Sequence, residues 1–198
     1  MRISVASTAF LCVAAAQPIS AGPSPGVEVF ATFDDLNSVS GGADGEPLGV
    51  YRGLNYTSFA VLSIEEGENA IIPQSVPSVA THYISEGAIS ITAATVKSFD
   101  LLSLYFGCTE GFRLTGLTRP EQCTVAFTVY KQGIAAVFQT FLGQYDPTDP
   151  VIASMTNVPF PTNFTGLDRV DIKVVQTTLT PRVTAVLIDN VAYKTYSQ

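Results

Sequence analysis

Short runs rich in β-branched and aromatic residues recur along this chain, and turn-forming residues separate them. Residues 27–33 read VEVFATF, 58–64 read SFAVLSI, 87–93 read GAISITA and 98–106 read SFDLLSLYF. Further on, 123–131 read CTVAFTVYK, 134–142 read IAAVFQTFL, 168–176 read DRVDIKVVQ and 182–193 read RVTAVLIDNVAY. Val, Ile, Thr, Phe and Tyr suit a pleated, half-buried surface, while Gly, Pro, Asp and Asn bound such runs. Twelve prolines are spread over 198 residues. No window of a dozen residues combines helical apolar spacing with end caps, so helices find little support.

Period-two alternation is clearest in DRVDIKVVQ. Val170, Ile172 and Val174 face one way there, and Asp171 and Lys173 the other. In CTVAFTVYK the alternation places Cys123, Val125, Phe127 and Val129 on one side, with Thr124, Thr128 and Lys131 nearer water. IAAVFQTFL could form a short helix, but the flanking Gly133 and Gly143 favour a strand. Lys131-Gln132-Gly133 then serves as a hairpin connection. The expectation is an all-β chain, an antiparallel β-sandwich or jelly roll of about eight strands in one domain, residues 22–198. Three stretches read as loops. They are 37–47, the stretch 65–77 with Glu65, Glu66 and Glu68, and 143–165 with Pro147, Pro150, Pro159 and Pro161.

The start of the chain reads differently. Arg2 precedes an apolar stretch from Ile3 to Ala16, and small residues follow at Ser20 and Ala21. This is the pattern of a secretory signal peptide over residues 1–21, with cleavage after Ala16 or Ala21. The run is shorter than the roughly 20 residues a spanning helix needs, so no membrane insertion is expected. Removing residues 1–21 leaves 177 residues with nine basic and 17 acidic side chains, a net charge of −8. An acidic chain without a basic block is a poor nucleic-acid binder, because phosphate contacts need clustered Lys and Arg. The expected location is secreted and extracellular.

Export makes sense of the cysteines. Cys108 and Cys123 are the two that remain, and an oxidising compartment pairs them. Two glycosylation sequons, Asn55-Tyr56-Thr57 and Asn163-Phe164-Thr165, fit the same eukaryotic route.

Catalytic carriers are few. His82 is the one histidine, which excludes a multi-histidine metal site and leaves a single candidate base for a Ser–His–Asp triad. No Gly-x-Ser-x-Gly elbow accompanies it. Glycoside cleavage would need a carboxylate pair, and Glu65, Glu66 and Glu68 form the densest acidic group. Phe33-Asp34-Asp35 near the start and Ile188-Asp189-Asn190-Val191 near the end form a more specific constellation. First and last strands of an antiparallel sandwich are frequently neighbours. Asp34, Asp35 and Asp189 could then converge on one structural Ca²⁺, which takes several oxygen ligands. The alternative is that these residues simply terminate strands.

That constellation resembles the galactose-binding-like sandwich shared by many carbohydrate-binding modules. The resemblance implies a structural Ca²⁺ held between Asp34 or Asp35 and the late Asp189. Tyr51-x-Gly53-Leu54-Asn55-Tyr56, Ser98-Phe99-Asp100-Leu101 and Cys108…Cys123 are similar to segments of small secreted proteins of filamentous fungi, including effector-type ones. The chain therefore reads as a secreted, non-catalytic domain that binds a glycan or a host extracellular component. Tyr51, Tyr56 and Tyr83 are the candidate sugar-stacking residues, with core packing as their competing role. A secreted glycoside hydrolase or polysaccharide lyase using loop carboxylates is the alternative.

Overall fold

A computed structural model describes residues 25–36, 46–63, 70–83, 89–111, 118–132, 134, 136–177 and 183–197. The signal segment 1–21, most of loop 37–47 and the Glu65, Glu66 and Glu68 group lie outside them. The described residues form strands and no helix. These are β1 (Val27–Ala31), β2 (Glu46–Tyr51), β3 (Leu54–Ser63), β4 (Ile71–Ile72), β5 (Ser78–Tyr83), β6 (Ile89–Ala93) and β7 (Ser98–Gly111). They continue as β8 (Thr118–Pro120), β9 (Cys123–Lys131), β10 (Gln139–Tyr145), β11 (Ala153–Ser154), β12 (Thr156–Pro159), β13 (Leu167–Thr177) and β14 (Ala185–Tyr196). With no described helix, none is long and apolar enough to cross a membrane.

Twelve strands form one continuous sheet in the order β10-β9-β13-β6-β3-β5-β14-β7-β12, with β1 on β14, β2 on β3 and β8 on β7. The sheet closes on itself, because β13 also meets β7 through the Leu167–Phe99 pair. β13, β6, β3, β5, β14 and β7 thus make a six-stranded ring. β4 and β11 pair separately, in parallel. The all-β class holds and the outline is sandwich-like. The expectation of about eight strands needs correction, since the described residues form fourteen strands, of which twelve share one sheet.

Long strands that change partners build this closure. Leu54 to Thr57 of β3 pair with β6, while Ala60 to Ser63 pair with β5. Ser58 sits at the change with φ of 61°, a bend that few L-residues adopt within a strand. β14 changes partner in the same way. Its first half pairs with β5 up to Ile188, and its second half pairs with β1 from Val191. The first and last strands are therefore neighbours, as expected for an antiparallel β-domain.

Apolar faces meet inside. Phe106 of β7 packs edge-on against Phe127 of β9, with ring centroids 6.1 Å apart. Phe127 in turn meets Phe160 at 5.1 Å, and Phe160 stacks on Phe164 at 5.4 Å. Stretch 143–165 is therefore not the surface connection its prolines suggested. Met155, Val158, Phe160 and Phe164 are all buried and line the core. Gly143 allows the close approach of β10. A Cβ there would lie 3.0 Å from the Phe127 ring and 3.3 Å from Val158.

Cys108, near the end of β7, and Cys123, the first residue of β9, form a buried disulfide across a sequence separation of 15. Closing a loop of that length is worth about 3 kcal/mol in the chain-entropy account. The Cys108→Ala/Cys123→Ala double variant is expected to lose about that much in urea unfolding, with reductant abolishing the difference from wild type. Equal midpoints without reductant would remove the bridge from the stability account.

Candidate functional site

Alternation along five neighbouring strands produces one outward polar face. In β9, Val125, Phe127 and Val129 point into the core, which leaves Thr124, Thr128 and Tyr130 facing out. In β13, Val170 and Ile172 are buried, and Arg169, Asp171 and Lys173 face out. Ile89 and Ile91 of β6 point in, with Ser90 and Thr92 between and beyond them. Leu54 and Tyr56 of β3 point in, so Asn55 and Thr57 face out.

Register then aligns the outward groups into rows. Thr140 lies opposite Thr128, Thr128 opposite Asp171, Asp171 opposite Ser90, and Ser90 opposite Thr57. A second row runs from Tyr130 through Arg169 and Thr92 to Asn55. Adjacent strands stand about 4.8 Å apart, so each row spans five or four polar positions at a regular step. The rows are braced from within. The Thr128 and Thr140 hydroxyls are 3.2 Å apart, and Asn55 donates to the Thr57 hydroxyl at 3.2 Å. The Arg169 guanidinium lies 3.8 Å from the Tyr130 ring centroid, and its Nε is 3.1 Å from the Asp171 carboxylate. Hydroxyls, an amide, a cation, a carboxylate and one aromatic ring share a partly exposed face, on which Leu142 of β10 is also exposed.

The tyrosines singled out from sequence lie elsewhere. Tyr56 is only 1% exposed, so its ring cannot stack on a ligand. Its neighbours are Phe33 at 5.5 Å, Phe59 at 6.2 Å and Tyr51 at 6.5 Å. Tyr51 is also buried, and its hydroxyl donates to Asp35 while accepting from Arg52 Nε at 2.8 Å. Core packing is the role of both. Tyr83 is half-buried at the end of β5, opposite Ala185, off the polar face. His82 is buried, with its Nδ1–H donating to the Ser58 carbonyl at 2.8 Å. It braces the β3 bend and is not presented to a substrate.

The three aspartates divide. Asp35 is exposed and pairs with Arg52 at 3.1 Å. The Tyr51 hydroxyl and that guanidinium hold its carboxyl below the usual range. Asp34 accepts from the Ser78 N–H at 3.1 Å. Asp189 is fully buried at the partner change of β14. Its carboxylate accepts the Ser75 N–H at 2.7 Å and the Asn190 N–H at 2.7 Å, and the Ser75 hydroxyl sits 3.2 Å away. Burial, with the nearby Asp34 charge adding, pushes this carboxyl up to about 6, against the opposing pull of those two amides.

Asp34 and Asp189 thus clasp the same short segment, Ser75 to Ser78, while Asp35 pairs with Tyr51 and Arg52. No group of three or more His, Cys, Asp or Glu that could hold a metal forms among the described residues. The Asp189 carboxylate already accepts the Ser75 and Asn190 amides. Chelator is accordingly expected to leave the thermal midpoint unchanged. A drop on chelation, reversed by Ca²⁺, would restore the metal reading.

No family model and no curated protein matches this chain. Among solved structures, it shows a likeness to the enzymatically active domain of tailspike protein 4 from bacteriophage CBA120. The TM-score is 0.35 and the sequence identity 15%, over 81% of this chain and 21% of that one. The chain thus spans about a fifth of that domain's length.

Sequence reasoning found part of the face and missed its aromatic ring. Alternation had already turned Thr128, Asp171 and Lys173 outward. Tyr130 was passed over, although it occupies the outward phase of the same strand. The two sequons also separate by position. Asn55 is the second residue of β3, flanked by β2 and β6, whereas Asn163 is exposed in a turn before β13.

Proposed function

We propose that this chain is a secreted, non-catalytic β-domain, a sandwich of jelly-roll type folded from one sheet. It binds a glycan or a host surface component outside the producing cell, as an effector-type protein would. The single observation carrying this reading is the register-aligned polar face of β10, β9, β13, β6 and β3. A sugar chain is recognised by hydrogen bonds to its hydroxyls together with an aromatic edge or face. Rows of Thr, Ser, Asn, Asp and Arg supply those hydrogen bonds, and Tyr130 supplies the ring. The face is extended and open, which suits a polysaccharide laid across the strands. The hydrolase or lyase alternative would use loop carboxylates, of which the densest group, Glu65, Glu66 and Glu68, lies outside the described residues.

A panel of soluble and insoluble polysaccharides, incubated with the full secreted chain, tests the reading. Retention on at least one glycan without release of reducing ends or unsaturated products is the expected result. Product release abolished by a single carboxylate substitution would replace it with the enzyme reading.

A further inference from the structure

Five strands of the large sheet pair with only one neighbour among the described residues: β1, β2, β8, β10 and β12. An open edge offers unpaired N–H and C=O groups to any second chain, and proteins guard such edges with charge, proline, bulges or brevity. Four of the five carry a guard. β1 contains Glu28, paired with Lys194 at 3.3 Å. β2 contains Pro47 and a register break before Gly49. β8 is three residues long with Arg119 and Pro120, and β12 is four residues long with Pro159.

β10 is the exception. It is the longest of the five at seven residues, reads QTFLGQY, and pairs with β9 in unbroken register. It has no charged residue and no proline. Leu142 on it is 56% exposed, and Ile134, Val137 and Phe138 just before it are exposed as well.

One feature stands at the start of this edge. Asn163 Nδ2 donates to Oε1 of Gln139, the first residue of β10, at 2.7 Å. Asn163 and Thr165 are both exposed, and Phe164 between them is 1% exposed. The Phe164 N–H closes the turn onto the Pro161 carbonyl at 2.9 Å, and its ring is stacked on Phe160. The sequon's acceptor and its hydroxyl are therefore presented to solvent while its middle residue is anchored in the core. Any group attached at Asn163 is held beside β10.

We infer that an N-linked oligosaccharide on Asn163 guards the β10 edge and prevents a second copy of this chain from pairing there. The inference rests on the secretory reading above, which supplies the lipid-diphosphate-linked oligosaccharide donor. The bond forms between Asn163 Nδ2 and the anomeric carbon. The lipid diphosphate leaves with the electrons of the broken C–O bond, and one amide proton is released. The proton left on Nδ2 is the one that can still bond Gln139.

The test uses the full chain secreted from a eukaryotic cell. Glycopeptide mapping should find Asn163 occupied. Sedimentation velocity should show one chain per particle, and after enzymatic glycan removal, or in Thr165→Ala, a mass of two chains or more that grows with concentration. Adding Leu142→Lys to Thr165→Ala should restore the single chain. Occupied Asn163 with no change on glycan removal overturns the inference, as does association that Leu142→Lys leaves intact. A secreted chain bare at Asn163 overturns it while the secretory reading stands. A chain retained in the cell with its residues 1–21 intact overturns both.

Discussion

Phe127→Ala should lower the unfolding free energy by about 3–5 kcal/mol, the range for truncating a fully buried aromatic residue. Phe127 is 0% exposed and sits among several core elements. Phe106 of β7 lies on one side, Phe160 on another, and Gly143 of β10 allows the backbone within van der Waals distance of the ring. Removing the ring leaves a void among Phe106, Phe160 and Gly143. Such a loss is a large share of the roughly 5–15 kcal/mol that stabilises an ordinary domain. Phe127→Leu keeps most of the volume and should lose about 1–2 kcal/mol, so a measurable series exists even where the alanine variant fails to fold. Urea midpoints provide the readout. A loss below about 1 kcal/mol for the alanine variant would mean that β9 does not pack against β7 as described.

Asp189→Ala should cost about 2–4 kcal/mol, for a different reason. The Ser75 and Asn190 amides both donate to this buried carboxylate at 2.7 Å. Truncation leaves them without acceptors inside the protein, and an orphaned buried donor costs roughly 1–3 kcal/mol. The carboxylate also carries a pH signature. Its pKa is raised to about 6 in the folded chain, from 3.8 for an ordinary aspartate. The folded state therefore holds the proton more tightly than the unfolded state. This contribution to stability is fully present below pH 3.8 and is lost as pH rises through about 6. Asp189→Asn removes the titration while keeping one acceptor oxygen. Stability measured from pH 4 to 7 should fall with pH more steeply in wild type than in Asp189→Asn. Parallel curves would show that burial does not raise the Asp189 carboxyl above its unfolded value.

Seven of the eight runs read from composition coincide over most of their length with strands, whereas 134–142 does so only over its last four residues, 139–142. β9 matches residue for residue, and β13 differs by one residue at each end. The strands that went unread have physical reasons. β2 contains Pro47 and Gly49, and β12 ends in Pro159, residues that break a central strand but are tolerated at an edge. β5, SVATHY, is buried on nearly every residue, so it shows no alternation to detect. The prolines of 143–165 hid a core-lining segment, since Phe160 and Phe164 point inward between them. The neighbouring of the chain ends was legible, whereas the chemistry there was not. Sequence spacing cannot show that the Ser75 and Asn190 backbone amides bond Asp189. Tyr56 and Tyr51 misled for a similar reason, because a tyrosine in a short strand has equal composition whether it faces in or out. The register that aligns Thr140, Thr128, Asp171, Ser90 and Thr57 joins residues from five distant segments, and only the assembled sheet reveals it.

The polar face is the centre of the account, and binding to it can be measured directly. The full secreted chain and its Tyr130→Ala and Arg169→Ala variants are titrated against the polysaccharide that the panel selects, with thermal midpoints recorded alongside. Each variant should bind at least about tenfold more weakly, a loss near 1.4 kcal/mol, while its midpoint stays close to wild type. Wild-type affinity in both variants, or a loss of binding that only follows a loss of folding, would contradict the assignment of this face as the binding surface.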